Sequence, residues 1–272
     1  KLRWHALVLL CTAALCGRGG ALADQTPTLM TAVMRGDTGA IREWVAEQGD
    51  QTVKGDTGRR ALLHAAAVGD VPMVKTLLEF GADPNARGKD KIARTALILT
   101  AAGGHSEVVK TLVAKGAELE ARDSSGKTAL NWAAMRTRTD MVELLLDKGA
   151  DINSRDNGGV SPLLFAVGRR DTATVQLLAR RGADLEVESK QNKMTPLLLA
   201  IETGQRDSVA YLLDKGAQVN GKNGDGLTPL MSASEKGDSK LVKLLLEHGA
   251  DPGAEDKLGR TAAARAEQQG QQ

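Results

Sequence analysis

The stretch Ala121-Arg-Asp-Ser-Ser-Gly-Lys-Thr128 is the segment of this chain that comes nearest to a chemical motif. It fits the loose nucleotide-loop spacing, with Ala in the first glycine position. The chemistry would be the cradling of phosphates by backbone N–H groups and a lysine, which requires a buried β-strand before the loop and a long helix after it. Here Asp123, Gly126 and Thr128 fall on markers of a repeat, so the segment reads as a turn. His64, His105 and His248 are widely separated, without ligand spacing or a Cys partner, and so do not describe a zinc site. Asn223-Gly-Asp-Gly226 hints at a calcium loop, but Gly221 and Ser232 stand at its first and twelfth positions, where the essential carboxylates belong. Neither Gly-x-Ser-x-Gly nor His-Glu-x-x-His is present. The sequence therefore gives no catalytic, cofactor-binding or metal-ligating residue.

The elements that would position any functional side chain are set by a period. Thr95-Ala-Leu, Thr128-Ala-Leu, Ser161-Pro-Leu, Thr195-Pro-Leu, Thr228-Pro-Leu and Thr261-Ala-Ala follow at steps of 33, 33, 34, 33 and 33 residues. In phase with them run Gly81-Ala-Asp, Gly116-Ala-Glu, Gly149-Ala-Asp, Gly182-Ala-Asp, Gly216-Ala-Gln and Gly249-Ala-Asp. A fixed period of this length means stacked supersecondary units. Each unit has one physical logic. A turn such as Asp123 to Gly126 reverses the chain, and Thr128 caps a short inner helix with its hydroxyl. Pro162, Pro196 and Pro229 take the first helical position, where the missing N–H costs nothing. Small residues such as Ala133 and Ala134 admit close neighbours. An outer helix, for example Thr139 to Lys148, presents Val142, Leu145 and Leu146 at helical spacing, and Gly149 ends it. Trp132 and Phe165 read as core. Repeat one spans about residues 28–51, with Gly36-Asp37 and Trp44, and repeat two about 56–85. Later repeats begin near Asp90, Asp123, Asp156, Ser189 and Asn223, with one extra residue bulging the turn at 189–192. A capping half-unit starts at Asp256 and frays into a polar tail, residues 267–272.

These markers resemble the ankyrin repeat. Asp156-Asn-Gly-Gly-Val-Ser-Pro-Leu-Leu-Phe-Ala, Val175-Gln-Leu-Leu and Gly182-Ala-Asp carry the resemblance, as do Gly226-Leu-Thr-Pro-Leu, Leu241-Val-Lys-Leu-Leu-Leu and Gly249-Ala-Asp-Pro. It implies an all-α ankyrin-repeat solenoid, stacked helix-turn-helix units with β-hairpin-like turns. About seven repeats and a C-terminal cap half-repeat would occupy residues 24–266. The family's His after Thr-Pro-Leu is replaced throughout, by Leu63, Ile98, Asn131, Leu164, Leu198 and Met231. Apolar contact is expected to take over its task of tying neighbouring repeats together.

Residues 1–23 read as a signal peptide. Lys1 and Arg3 give a basic start, residues 6–15 a short run of small and apolar residues, and Ala21-Leu22-Ala23 a cleavage site. The alternative is an N-terminal capping helix, which would need a polar face. Cys11 and Cys16 leave with the leader, so the mature chain has no thiol chemistry. Removing Lys1, Arg3 and Arg18 from 36 basic residues leaves 33 against 34 acids, a balance with no general pull toward nucleic acid or anionic membrane. The apolar run is too short for a membrane span. Leader and resemblance together imply a periplasmic location.

In this family the turn tips and exposed inner-helix ends line the concave face, so those positions carry the binding information. Basic residues gather there at Lys91, Arg94, Lys127, Arg136, Arg169 and Lys190. Ile92, Met135, Val160, Met194 and Leu227 add apolar side chains that the repeat frame does not require. Such a groove suits a partner protein with an acidic surface patch. Exported bacterial ankyrin proteins resemble inhibitors or protectors. The expectation is therefore a non-enzymatic module, a monomer, that inhibits or sequesters a hydrolase or toxin in the manner of an immunity protein. The alternative is a scaffold supporting a periplasmic enzyme, for example in oxidative-stress defence.

Overall fold

The computed structural model describes residues 26–268 and 270. The leader read over residues 1–23 lies outside them, as do tail residues 269, 271 and 272. The described residues fall into two compact units, one up to Ala133 with Leu144–Ala150, the other Ala134–Glu143 with residues from 151 onward.

In the first unit, helices α1 (Thr26–Arg35) and α2 (Thr38–Gln48) form a pair, and a short helix α3 (Gln51–Lys54) follows. Then come α4 (Asp56–Val68) with α5 (Val71–Glu79) and α6 (Ala96–Gly103) with α7 (Ser106–Ala114). Helices α1, α4 and α6 pack as an inner row, and α2, α5 and α7 as an outer row. Leu62, Leu97 and Ile98 of the inner row and Leu77 and Leu112 of the outer row are buried. Gly58 explains how α4 starts so close to α3: a Cβ there would collide with the Val53 carbonyl. Helices α8 (Ala129–Met135) and α9 (Thr139–Asp147) are divided between the units.

The second unit contains the pairs α10 (Pro162–Gly168) with α11 (Thr172–Arg180), α12 (Pro196–Glu202) with α13 (Arg206–Asp214), and α14 (Pro229–Glu235) with α15 (Ser239–Glu247). A last helix, α16 (Ala262–Gln268), follows. Helices α10, α12, α14 and α16 form its inner row, and α11 packs on α13. Inner helices of seven or eight residues would not persist alone in water. Caps and neighbours hold them. Thr95, Ser161, Thr195 and Thr228 each accept the N–H three residues on, at 3.3 Å, and Pro opens α10, α12 and α14. Asp70, Asp171 and Asp238 cap outer helices in the same way.

The turns expected to resemble β-hairpins contain no strand among the described residues; an isolated bridge joins Arg87 and Thr95. Side chains close them instead. Asp123, Asp156, Asn223 and Asp256 each accept two backbone N–H groups, two and four residues ahead. Tips then bond to tips, Ser124 N–H to the Ile92 carbonyl in the first unit and Lys190 N–H to the Gly158 carbonyl in the second, both at 2.8 Å. The extra residue after Ser189 is absorbed by Asn192 and Lys193, with φ of 60° and 48°, and the closing bond reaches from Ser189 to Met194.

The expectation that apolar contact stands in for the missing His is amended by polar brackets between repeats. Asn85 accepts from Glu118 N–H and donates to the Gly116 carbonyl, and Asn220 does the same with Asp251 and Gly249. Asn153 accepts from Asp184 N–H, and Glu186 from Gln218 N–H. His105 and Gln205, at the start of outer helices, reach back to the Ala67 and Val167 carbonyls. Gly69, at φ +81°, leaves room for the His105 ring, which a Cβ there would strike.

Candidate functional site

Every residue read as a docking position sits on a turn tip or an inner-helix end, and burial divides them. In the first unit Lys91 and Ile92 are exposed at one tip, Ile92 by 37%. Their carbonyls accept the Ser124 hydroxyl and N–H, so the backbone is fixed while the side chains stay at the surface. Arg94 departs from the exposure expected of a steering charge. Its side chain is only 11% exposed, 3.6 Å from Asp90, and its guanidinium lies 5.4 Å from the centre of the Trp132 ring. A desolvated stack of this kind stabilises by about 1–2 kcal/mol, so Arg94 is part of the packing. Lys127 is half-buried, and its Nζ donates to Ser125 Oγ at 3.0 Å.

Trp132 is buried, as expected, and its indole N–H donates to Asp123 Oδ2 at 2.8 Å. Asp123 Oδ1 takes Ser125 N–H and Oγ–H and Lys127 N–H. Burial pushes the Asp123 carboxyl up. Its hydrogen bonds, from the Ser125 hydroxyl, Lys127 N–H and the Trp132 indole, outweigh that and hold it below the ordinary value. The N–H groups a nucleotide loop would offer to phosphate are thus turned onto a carboxylate, and the segment is a structural turn.

In the second unit Met135 and Arg136, at the end of α8, are half-buried, as is Val160. Arg169, which caps the end of α10, and Lys190, on a tip, are exposed. Met194 and Leu227 are half-buried and line one hollow of about 430 Å³. Glu202 and Glu235 line it too, at the ends of α12 and α14, with Lys236 and Arg265. Reasoning from the basic cluster misses these two carboxylates. Their signal is recurrence: Met194 and Leu227, like Glu202 and Glu235, stand 33 residues apart in the same register.

The histidines are placed by packing. Burial holds His64 below its ordinary value against the pull of Asp70. His105 bridges repeats, and His248 Nδ1 lies 2.9 Å from the Leu244 carbonyl. Among the described residues no group of three or more His, Cys, Asp or Glu is placed to hold a metal ion. No described helix is long and apolar enough to cross a membrane.

Comparison with known proteins agrees with this architecture. A family model for ankyrin repeats in three copies matches residues 85–156 and 154–223, one for many copies matches 212–266, and one for a single ankyrin repeat matches 58–89. Among solved structures, the chain is similar to the ankyrin repeat domain of Bcl-3, described as a unique member of the IkappaB protein family. Sequence identity is 31% and the TM-score 0.70, over 75% of this chain and 92% of that one. No curated protein matches the sequence.

Proposed function

We propose a function from one premise: this chain belongs to the ankyrin-repeat family. An ankyrin-repeat array is a protein–protein interaction module, in general a scaffold without catalysis of its own. On that basis the chain is a non-enzymatic periplasmic protein that docks a partner with an acidic surface patch and inhibits or sequesters it, the partner being a hydrolase or toxin. The observation that carries the docking reading is the set of side chains at positions the repeat frame leaves open: the cations Lys91, Arg169 and Lys190 are exposed, as is Ile92 beside Lys91, and the apolar Met194 and Leu227 are half-buried. Charge of that kind raises the rate of encounter, and desolvated apolar contact slows release. The periplasmic reading is supported by the basic start, apolar run and Ala-x-Ala site of residues 1–23.

The test is capture from a bacterial periplasmic extract with the purified chain as bait, followed by assay of the captured protein. Inhibition is the expected sign. Enhanced or protected activity would replace the inhibitor with a scaffold. Capture of nothing, from an extract of the source organism, would remove the docking function, and a chain retained in the cytoplasm on fractionation would remove the location.

A further inference from the structure

We propose that the 430 Å³ hollow of the second unit is a slot for one long cationic side chain, arginine or lysine, of a docked protein, and that Lys236 is the exchangeable cation occupying its carboxylate in the free chain. The proposal rests on the docking reading above and names the chemistry of one contact within it.

The two carboxylates of the slot are held in different ways. Arg265 gives Nε and Nη2 to Glu235 Oε2, at 3.1 and 2.6 Å, and Nη1 to Asp256 at 2.7 Å, with its side chain only 11% exposed. That pair is locked into the attachment of α16. Glu202 is different. One oxygen accepts the Ser232 hydroxyl, and the other lies 3.0 Å from Lys236 Nζ, with the two side chains 42% and 39% exposed. Ion pairs this open to water contribute about 0–1 kcal/mol. Exchanging Lys236 for an incoming cation leaves the charge of the slot unchanged and costs little, since the released ammonium returns to water.

The apolar part of the lining decides what the newcomer must be. Met194 and Leu227 offer apolar surface beside the carboxylates. Arginine and lysine lay their methylene stems along such surface while the charged head reaches an acceptor, and the pliable methionine adapts to the stem. An acidic side chain would face Glu202 and Glu235 with Lys236 alone to pair with, because Arg265 is already held by Glu235 and Asp256. A purely apolar one would leave Glu202 nothing it does not already have. The partner therefore presents a base here, while the cations Arg169 and Lys190 meet its acids.

A backbone-amide NMR titration of the full chain with N-acetyl-arginine N-methylamide reads the slot directly. Saturable shifts confined to residues 192–203 and 223–236 are expected. The neutral citrulline analogue and the variant Glu202→Gln should each weaken binding about fivefold, equivalent to about 1 kcal/mol. Lys236→Met should tighten it about threefold, because the competing cation is gone. Met194→Ser should weaken arginine without touching the carboxylate, which keeps the proposal testable if Glu202→Gln loses its helices by circular dichroism. Absence of saturation, equal binding of the citrulline analogue, or weaker binding by Lys236→Met would overturn the slot. The last result would give Lys236 to an acidic partner group instead. Failure of the titration leaves a captured partner standing, and failure to capture a partner leaves the titration standing.

Discussion

Asp123 and Asp156 occupy the same turn position one repeat apart, yet they carry different loads. Each carboxylate accepts two backbone N–H groups through Oδ1. Asn223 does the same with an amide oxygen, so the turn itself needs no charge. Asp123 Oδ2 in addition accepts the Trp132 indole N–H, where the next repeat has Phe165, a ring with no N–H to give. Asp156→Asn, which meets no indole, should therefore cost less than the same change at Asp123. Asp123→Asn would set an amide N–H₂ against the indole N–H and should cost about 1–3 kcal/mol, the range for a buried donor left unpaired. Urea unfolding of Asp123→Asn, Trp132→Phe and the double variant checks this, since the double variant should recover most of the asparagine penalty. Equal costs at positions 123 and 156 would sink it. The turn residues were legible because the period repeats them. The stack of Arg94 on Trp132 was not, because it joins two non-equivalent positions 38 residues apart, and no regularity in the chain marks that contact.

At the scale of elements, the helices were legible from caps and prolines, whose chemistry is local. Bonds between repeats were less so, because the residues that make them vary from one repeat to the next. Asn85, Asn153 and Asn220 stand at one register position, and Glu186 performs the same task there with a different side chain. Asn220→Ala removes two such bonds at the surface, and a loss of about 1 kcal/mol is expected by urea titration; no loss would assign the joining of these repeats to apolar contact alone. The closing helix α16 is the element most dependent on charge. Asp256 accepts Arg260 through its backbone and side chain and also Arg265, which bridges to Glu235 at the end of α14. Burial pushes the Asp256 carboxyl up, but hydrogen bonds from Arg260, Leu258 and Arg265 override it and hold it well below the ordinary 3.8. A carboxyl depressed by folding contributes its full stability above the unfolded value and loses it as the pH falls. Protection of α16 from hydrogen exchange should therefore be constant down to about pH 4 and decline below it, and Asp256→Asn should show the loosened helix already at pH 7. Exchange at α16 that is indifferent to both would show that Ala262 and its apolar neighbours suffice.

At the scale of the whole molecule, 36 basic and 34 acidic residues nearly cancel, so any field that steers a partner must be local. The structure separates the cations able to supply it from those engaged in packing. Lys91, Arg169 and Lys190 are exposed, whereas Arg94 is half-buried and stacked on Trp132. Reversing Lys91, Arg169 and Lys190 to glutamate together should leave the unfolding free energy within about 0.5 kcal/mol per site. Association with the captured partner should slow about tenfold or more at low salt, with dissociation little changed. The difference should shrink as salt shortens the screening length to about 3 Å near 1 M. Arg94→Glu alone should behave in the opposite way. It removes a cation from an aromatic face and places a second carboxylate near Asp90, so stability should fall by about 2 kcal/mol or more before any change in encounter rate appears. Surface plasmon resonance across a salt series, paired with thermal unfolding of each variant, distinguishes the two roles. An unchanged association rate in the triple variant would take these cations out of the docking surface, and an Arg94→Glu chain as stable as the wild type would return Arg94 to it.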